Sequence, residues 1–273
     1  MINLPISRYV VSSGYTWLRA PRSAAALLAL SIVLGCGDGI SRPDAYGRAS
    51  LTRGAKLFDN WQEVTGVTPA GDNPNYSLTK GTAKGAATWR CKECHGIDYR
   101  GVDGLYASGS HFTGVKGLLQ AAGADPKTLF DAMRGQCLGP TSVSAGSQLS
   151  DADVMDLAKF VREGVVDLTQ YLDATAVGVP LAGDAAVGKV LYDDQCARCH
   201  GVGGTSLNID GTPGHYVGTE ANKNGYNLQH RIRFGLAAVP GTLKQEMPAA
   251  VNFGWSMQDV MDVIVYSRTL PVK

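Results

Sequence analysis

The sequence predicts a mostly α-helical protein built from two tandem domains, and three repeated features support this fold class. A Cys-x-x-Cys-His motif occurs twice, at residues 91–95 and 196–200. A Gly-x-x-Leu-aromatic pattern precedes both copies, at residues 54–58 and 188–192. Each half ends in a segment whose apolar residues recur with helical period after a capping serine. Such a repeat within 273 residues fits two small domains that each bury a core.

The five-residue motif fixes three residue types at the spacing that covalent haem attachment requires. Two thiols separated by two residues add to the two vinyl groups of the porphyrin, and the adjacent imidazole ligates the iron. Zinc knuckles or disulfides are the alternatives, but zinc does not require a histidine directly after the second cysteine, and disulfides leave both histidines unexplained. The sequence therefore predicts two covalently bound haem c groups. The attaching residues are Cys91, Cys94, Cys196 and Cys199, and the proximal ligands are His95 and His200.

Each half is predicted to close with an amphipathic helix that begins at a capping box. Ser150 and Ser256 are the expected N-caps, and Asp153 and Asp259 complete the boxes. The buried faces are expected to contain Val154, Leu157 and Val161 in the first half and Val260, Val263 and Ile264 in the second.

The domains are expected at residues 51–172 and 185–273, joined by a linker at residues 173–184. The first domain is predicted to contain a 29-residue insertion, because its motif follows the Gly-x-x-Leu-aromatic pattern much later than in the second. The extra residues lie within 61–90, a segment rich in Gly, Thr, Asn and Pro. This composition indicates a long ordered loop with little regular structure, either a lid or a passive cover over a haem edge.

The N-terminus carries the features of an export signal. Residues 1–35 contain three arginines and then an apolar run at residues 24–34 that is too short to span a bilayer. The run ends in Val-Leu-Gly-Cys, which resembles a bacterial lipobox, so Cys36 is the expected lipidation site. An ordinary cleaved signal or an uncleaved anchor is the alternative. We expect a membrane-anchored periplasmic lipoprotein with a flexible tether at residues 36–50, and the residue after Cys36 permits outer-membrane attachment.

Charge narrows the range of partners. The formal net charge of the chain is +1, and no cluster of basic residues suggests a nucleic-acid surface. The expected partners are redox proteins and, through the lipid anchor, a membrane.

The order of the elements resembles the class I cytochrome c fold over most of both halves. That family shares a helix leading into Cys-x-x-Cys-His, then a loop, a middle helix and a capped final helix. The resemblance implies that the first and last helices of each half cross through aromatic contacts. The expected pairs are Phe58 with Phe160 and Tyr192 with Tyr266.

The loop at residues 109–117 also resembles a family segment, Gly-Pro-x-Leu-x-Gly-Val-x-Gly, with Ser110 in place of the proline. This resemblance places His111 near the proximal side of the first haem, as a structural or propionate-contacting residue. Distal ligation of the iron by His111 is the alternative.

In the family, the sixth iron ligand is a methionine before a proline, in the loop ahead of the last helix. Met247 and Pro248 stand at this place, and Met247 lies nine residues before Ser256. The resemblance therefore implies a six-coordinate haem ligated by His200 and Met247. Thioether ligation raises the reduction potential of such a haem. A core-filling methionine is the alternative.

The first half lacks a Met-Pro pair at the equivalent place, where Thr141 stands. Three distal partners remain open: the thiolate of Cys137, the thioether of Met133, and water or a substrate. Met133 aligns with Ile232 at an apolar helix position, so core packing is its expected role. Cys137 could instead be a small buried apolar residue, whereas its thiolate on the iron would lower the potential.

These features predict a membrane-tethered periplasmic dihaem cytochrome that passes single electrons between partner proteins. The alternative is an enzyme in which the first haem binds a small molecule and the second relays electrons. Dihaem thiosulfate dehydrogenases are an analogy, since they pair a Cys-ligated active haem with a His/Met haem. A subunit docked to a larger oxidoreductase complex is a third interpretation.

Overall fold

The computed structural model describes residues 42–76, 80–137, 148–238 and 245–272, and within these ranges the chain is mostly helical without any β-strand. The mostly α-helical prediction is therefore confirmed. The α-helices are α1 (Arg42–Arg48), α2 (Leu51–Thr65), α3 (Cys91–His95), α4 (Pro126–Ala132), α5 (Asp151–Lys159), α6 (Ala185–Gln195), α7 (Ala197–His200), α8 (Val217–Lys223), α9 (Gly225–Phe234) and α10 (Met257–Ser267). Single π-helical turns at Met133–Cys137 and Phe160–Gly164 extend α4 and α5.

In each half, the first helix crosses the last helix at a glycine. A Cβ atom placed on Gly54 of α2 would lie 1.9 Å from the carbonyl oxygen of Asp156 in α5. A Cβ atom on Gly188 of α6 would lie 1.9 Å from the carbonyl oxygen of Asp262 in α10. Both backbones therefore approach to a distance that only glycine permits.

The predicted aromatic contacts at these crossings are confirmed. The rings of Phe58 and Phe160 lie 5.2 Å apart between centroids, and those of Tyr192 and Tyr266 lie 5.3 Å apart. Both distances fall in the range at which aromatic pairs add to the free energy of burial.

The predicted capping boxes are also present. The side chains of Ser150 and Ser256 accept hydrogen bonds from the amides of Asp153 and Asp259, and the aspartates bond back to the serine amides. The predicted apolar faces of both helices are buried. Further along each helix, a carboxylate accepts from the start of the crossing helix, Asp156 from the Ser50 amide at 2.7 Å and Asp262 from the Asp184 amide at 2.8 Å.

The chain between α2 and α3 forms an ordered cover over the core. Trp61 of α2 is fully buried, and its indole N–H donates to the carbonyl of Trp89 at 2.8 Å. Trp89 in turn donates to the carbonyl of Gly71 at 3.0 Å. A short 3₁₀ segment, Gly85–Trp89, leads into the motif. The two tryptophans thus join the residues around Gly71 and Trp89 to α2, and the predicted loop insertion stays a prediction.

Part of the predicted tether is helical. The first described residues form α1, and the Tyr46 hydroxyl donates to Glu163 while the Lys159 ammonium lies 4.7 Å from the centre of the Tyr46 ring. These contacts hold residues 42–48 against the end of the first half, so this part of the expected tether is a docked helix. Cys36 and the predicted signal lie outside the described residues.

The two helical halves pack against each other through α9. Residues Ile40 to Lys273 belong to one compact unit, and the buried apolar residues of both halves form a continuous core. The division into two tandem domains at residues 51–172 and 185–273 stays a prediction. None of the described helices is long and apolar enough to cross a bilayer.

Candidate haem sites

The second Cys-x-x-Cys-His motif opens onto a mostly apolar cavity. Helix α7 carries the motif directly after α6, and Gly201, with φ +77°, ends it. The cavity is lined by Cys196, His200 and Met247, together with apolar residues of α9 and α10 that include Leu228, Ile232 and Val263.

Met247 lies on the same cavity as His200 because its backbone is paired with the end of α9. The Met247 amide donates to the carbonyl of Leu236 at 3.1 Å, and the Leu236 amide donates back at 3.3 Å. A Cβ atom on Gly235 would lie 2.2 Å from the Met247 carbonyl oxygen, so glycine is required where the two segments meet. The structure therefore places His200 and Met247 on one cavity, and their ligation of a haem iron stays a prediction.

The residues of this cavity fit a haem. Its walls are mostly apolar, as a flat macrocycle requires, and the Nδ1 atom of His200 is buried without a hydrogen-bond partner among the described residues. Burial lowers the pKa of His200, which favours the neutral imidazole that binds metals. Burial and the neighbouring Cys199 raise the pKa of Cys196 to about 12, so its thiol is protonated before any attachment.

The first motif has the same local structure. Helix α3 spans it and ends at Gly96, with φ +78°. The Nδ1 atom of His95 lies 2.8 Å from the carbonyl oxygen of Lys116, so Nδ1–H donates and Nε2 is left for a metal. Burial lowers the pKa of His95, partly opposed by this hydrogen bond, and favours the neutral ligand form.

An ion pair fixes the first motif on α2. The Lys92 ammonium bonds to the carboxylate of Asp59, a buried residue of α2. Burial opposes the ionisation of Asp59, but the charge of Lys92 prevails and lowers its pKa to about 2. The second motif carries Ala197 at the equivalent place, so this attachment is particular to the first half.

His111 is held against the first motif. Its Nδ1 atom lies 2.9 Å from Glu93 Oε1, its ring stacks on Tyr106 at 4.7 Å, and its side chain is 53% exposed. The equivalent His215 likewise bonds to a carboxylate, that of Glu220, at 2.9 Å. These contacts agree with the structural role that the resemblance implies for His111.

The distal side of the first site lies mostly outside the described residues. Thr141 and the side chain of Cys137 are among those that are not described. The backbone of Cys137 ends the π-helical turn after α4, in register with Leu236, which lines the second cavity. Met133 begins that turn and packs partly buried against the core. The three distal partners therefore remain predictions.

Two buried polar residues near the first site were not predicted. Tyr99, four residues after His95, hydrogen-bonds through its hydroxyl to Nδ1 of His230 at 2.7 Å, and both side chains are fully buried. The signal available in the sequence is that Gly204 stands four residues after His200, where the first half has this tyrosine. His230 gives no comparable signal, because nothing in the pattern of α9 indicates which residues face the other half.

The comparisons with known proteins agree with the geometry of the second site. Residues 183–266 match the family model described as Cytochrome C oxidase, cbb3-type, subunit III. The match supports a c-type cytochrome domain at residues 183–266, and this family implies covalently bound haem c and suggests haem-based electron transfer. The matched segment contains α6 through the greater part of α10, with Cys196, Cys199, His200 and Met247. No curated protein sequence matches the chain.

Proposed function

We propose that this protein is a periplasmic, membrane-tethered dihaem cytochrome c that transfers single electrons between redox partner proteins. The observation that carries the proposal is the apolar cavity that brings Cys196, His200 and Met247 together inside a cytochrome c domain. Bound haem c supplies the one-electron chemistry.

Each residue of the second site has a distinct task in this function. Cys196 and Cys199 would attach the group, and His200 and Met247 would supply the ligands of its iron. Leu228, Ile232 and Val263 exclude water. Thioether ligation and burial both favour the reduced state and raise the potential.

The first motif supports a second haem. The attachment cysteines, the terminal glycine and the neutral histidine recur there, and the Lys116 carbonyl orients His95 as metal-bound histidines are commonly oriented. The absence of a Met-Pro pair favours one other candidate function, an enzyme that binds a small molecule at the first site and relays electrons through the second.

Spectroscopy of the purified full chain separates these functions. We expect two haems per chain, both low spin and neither binding carbon monoxide when reduced. Met247→Ala is the control, because it opens the second site and should produce one haem that binds carbon monoxide. Cys137→Ser should leave both haems low spin if the cysteine only packs, and should turn one haem high spin if its thiolate is the ligand.

Two results would contradict the electron-carrier proposal. One haem per chain would refute the dihaem count, and carbon monoxide binding by one haem of the unaltered protein would favour the small-molecule enzyme. The predicted anchor has its own test. After expression in a bacterial host, the mass of the mature chain should correspond to an N-terminus at Cys36 carrying lipid, and an unmodified N-terminus would refute the lipoprotein.

A further inference from the structure

We propose that Tyr99 and His230 are positioning residues for the first haem site: their hydrogen bond ties the loop that orients His95 to α9, whose other residues line the second site. This inference rests on the proposed dihaem function. It concerns how His95 is held and how the two sites are joined.

The backbone of Tyr99 adopts an unusual conformation. With φ +63°, Tyr99 is the only residue other than glycine with positive φ among the described residues. A bulky side chain rarely adopts this conformation, and such outliers persist only where the surrounding structure enforces them. In the second half the equivalent residue, Gly204, has φ +69°, so the turn itself needs only a glycine. At this position the tyrosine side chain makes a contact that glycine cannot make.

The backbone of Tyr99 is joined to the carbonyl that orients His95. The Tyr99 carbonyl accepts from the Leu118 amide at 2.7 Å, and Gly101 forms a β-bridge with Lys116. Lys116 then accepts from His95 Nδ1 at 2.8 Å. A shift of Tyr99 would therefore move the acceptor of the proximal histidine.

The side chain of Tyr99 is fixed from the other half. His230 of α9 is fully buried, and its Nε2 atom lies 3.0 Å from the carbonyl oxygen of Ala55 in α2. Because a carbonyl can only accept, Nε2–H donates there, and Nδ1 accepts from the Tyr99 hydroxyl at 2.7 Å. Burial lowers the pKa of His230 to about 4, which keeps this neutral tautomer near neutral pH.

The rest of the contact is aromatic and rigid. The His230 ring lies 5.9 Å from Phe58 and 5.7 Å from Phe160, the two rings at the helix crossing of the first half. The neighbouring residues Leu228 and Ile232 of the same helix line the cavity that holds His200 and Met247. Helix α9 thus contacts the core of the first site on one side and the second site on the other.

The hydrogen bond made by Nδ1 of an iron-bound histidine sets how strongly the imidazole donates to the metal. A weaker bond from His95 to Lys116 makes the imidazole a weaker donor and stabilises the reduced iron. Loss of the Tyr99 hydroxyl should therefore raise the potential of the first haem.

The experiment compares Tyr99→Phe with Tyr226→Phe in the full holoprotein. Tyr99→Phe removes one oxygen atom. Tyr226→Phe is the matched control, because this buried tyrosine of α9 donates to the carbonyl of Asp173 at 2.6 Å and not to His230 or to the loop that orients His95. Potentials come from spectroelectrochemical titration, low-spin EPR signals report the ligand field, and the signal that changes in Met247→Ala identifies the second haem.

We expect Tyr99→Phe to raise the potential of the first haem and shift its EPR signal, with the second haem unaltered and Tyr226→Phe without effect on either. His230→Leu should reproduce the shift, and His230→Gln, which retains a donor and an acceptor, should restore values close to the unaltered protein. Two haems per chain with no shift in Tyr99→Phe, or an equal shift in Tyr226→Phe, would overturn the inference alone. One haem per chain would overturn both the inference and the proposed function.

Discussion

At Gly54 and Gly188, a single carbon atom decides whether two helices can cross. Both residues lie where the backbone of one helix meets a carbonyl of the crossing helix. An added Cβ atom would lie 1.9 Å from the carbonyl oxygen of Asp156 at Gly54, and 1.9 Å from that of Asp262 at Gly188. Sequence comparison between the halves aligns these two glycines without revealing why they are required. The structure supplies the reason, which is a contact between residues more than 70 positions apart.

We predict that Gly54→Ala and Gly188→Ala each destabilise the holoprotein by about 2 kcal/mol or more, because the added Cβ atom forces the crossing helices apart. Gly47→Ala is the control, since Gly47 lies in α1 with no atom within 4 Å of the added carbon. That substitution should be neutral or stabilise by up to about 1 kcal/mol through helix propensity. Guanidinium chloride unfolding followed by circular dichroism measures all three, and equal effects in the three variants would refute the explanation.

Tyr99 shows what residue patterns leave out. The motif and its two histidines are legible because their chemistry depends on short spacings, which a sequence displays directly. The tyrosine's role depends on a partner 131 positions away and on a backbone angle, neither of which has a local signature. For the same reason the burial of His230 could not be predicted from the pattern of its own helix.

At the scale of helices, local signals predicted most of the structure. The capping boxes at Ser150 and Ser256 and the apolar faces behind them follow from rules that act within one helical turn. One helix that these signals missed is α1, because Pro43 and Gly47 make residues 36–50 resemble a linker. The helix forms where Tyr46 docks on Glu163 and Lys159, a tertiary contact that overrides weak local propensity.

In the chain between α2 and α3, local composition and tertiary contacts again account for different features. The composition of this segment predicts a loop with little regular structure, and the described part includes a 3₁₀ segment at Gly85–Trp89. That the segment is anchored by buried hydrogen bonds from Trp61 and Trp89 could not be deduced, since the acceptors are backbone carbonyls. Such carbonyls exist at every position and carry no sequence signal.

At the scale of the whole molecule, the contact between the halves depends on residues that break the repeat. His230 aligns with the exposed Asp131, and Tyr99 aligns with Gly204. Arg233, also buried, donates to the carbonyl of Gly164 at 2.8 Å across the same interface, although it aligns with Arg134 and so belongs to the repeat. A repeat predicts what two halves share, whereas the Tyr99–His230 contact between them is made by residues that they do not share.

The buried histidine at this interface should make the molecule sensitive to moderate acid. Burial, opposed by Asp59 and supported by Lys92 and Arg233, lowers the pKa of His230 to about 4 from 6.5. The unfolded chain therefore binds a proton at higher pH than the native chain. The stability that His230 contributes is complete above pH 6.5 and decreases as pH falls towards 4. Integrated over that range, the loss is about 3 kcal/mol.

Asp59 affects stability in a separate pH range. Its pKa is about 2 in the folded chain and 3.8 in the unfolded chain, so its contribution to stability changes only below about pH 4. His230→Gln keeps the hydrogen bonds without the titration, so its free energy of unfolding should decrease by about 3 kcal/mol less than that of the unaltered holoprotein between pH 6.5 and 4. Tyr226→Phe should retain the unaltered slope, because it removes a buried hydrogen bond but no histidine. Urea unfolding at half-unit pH intervals provides the curves. Parallel curves for His230→Gln and the unaltered protein would mean that His230 titrates alike in the folded and unfolded chains.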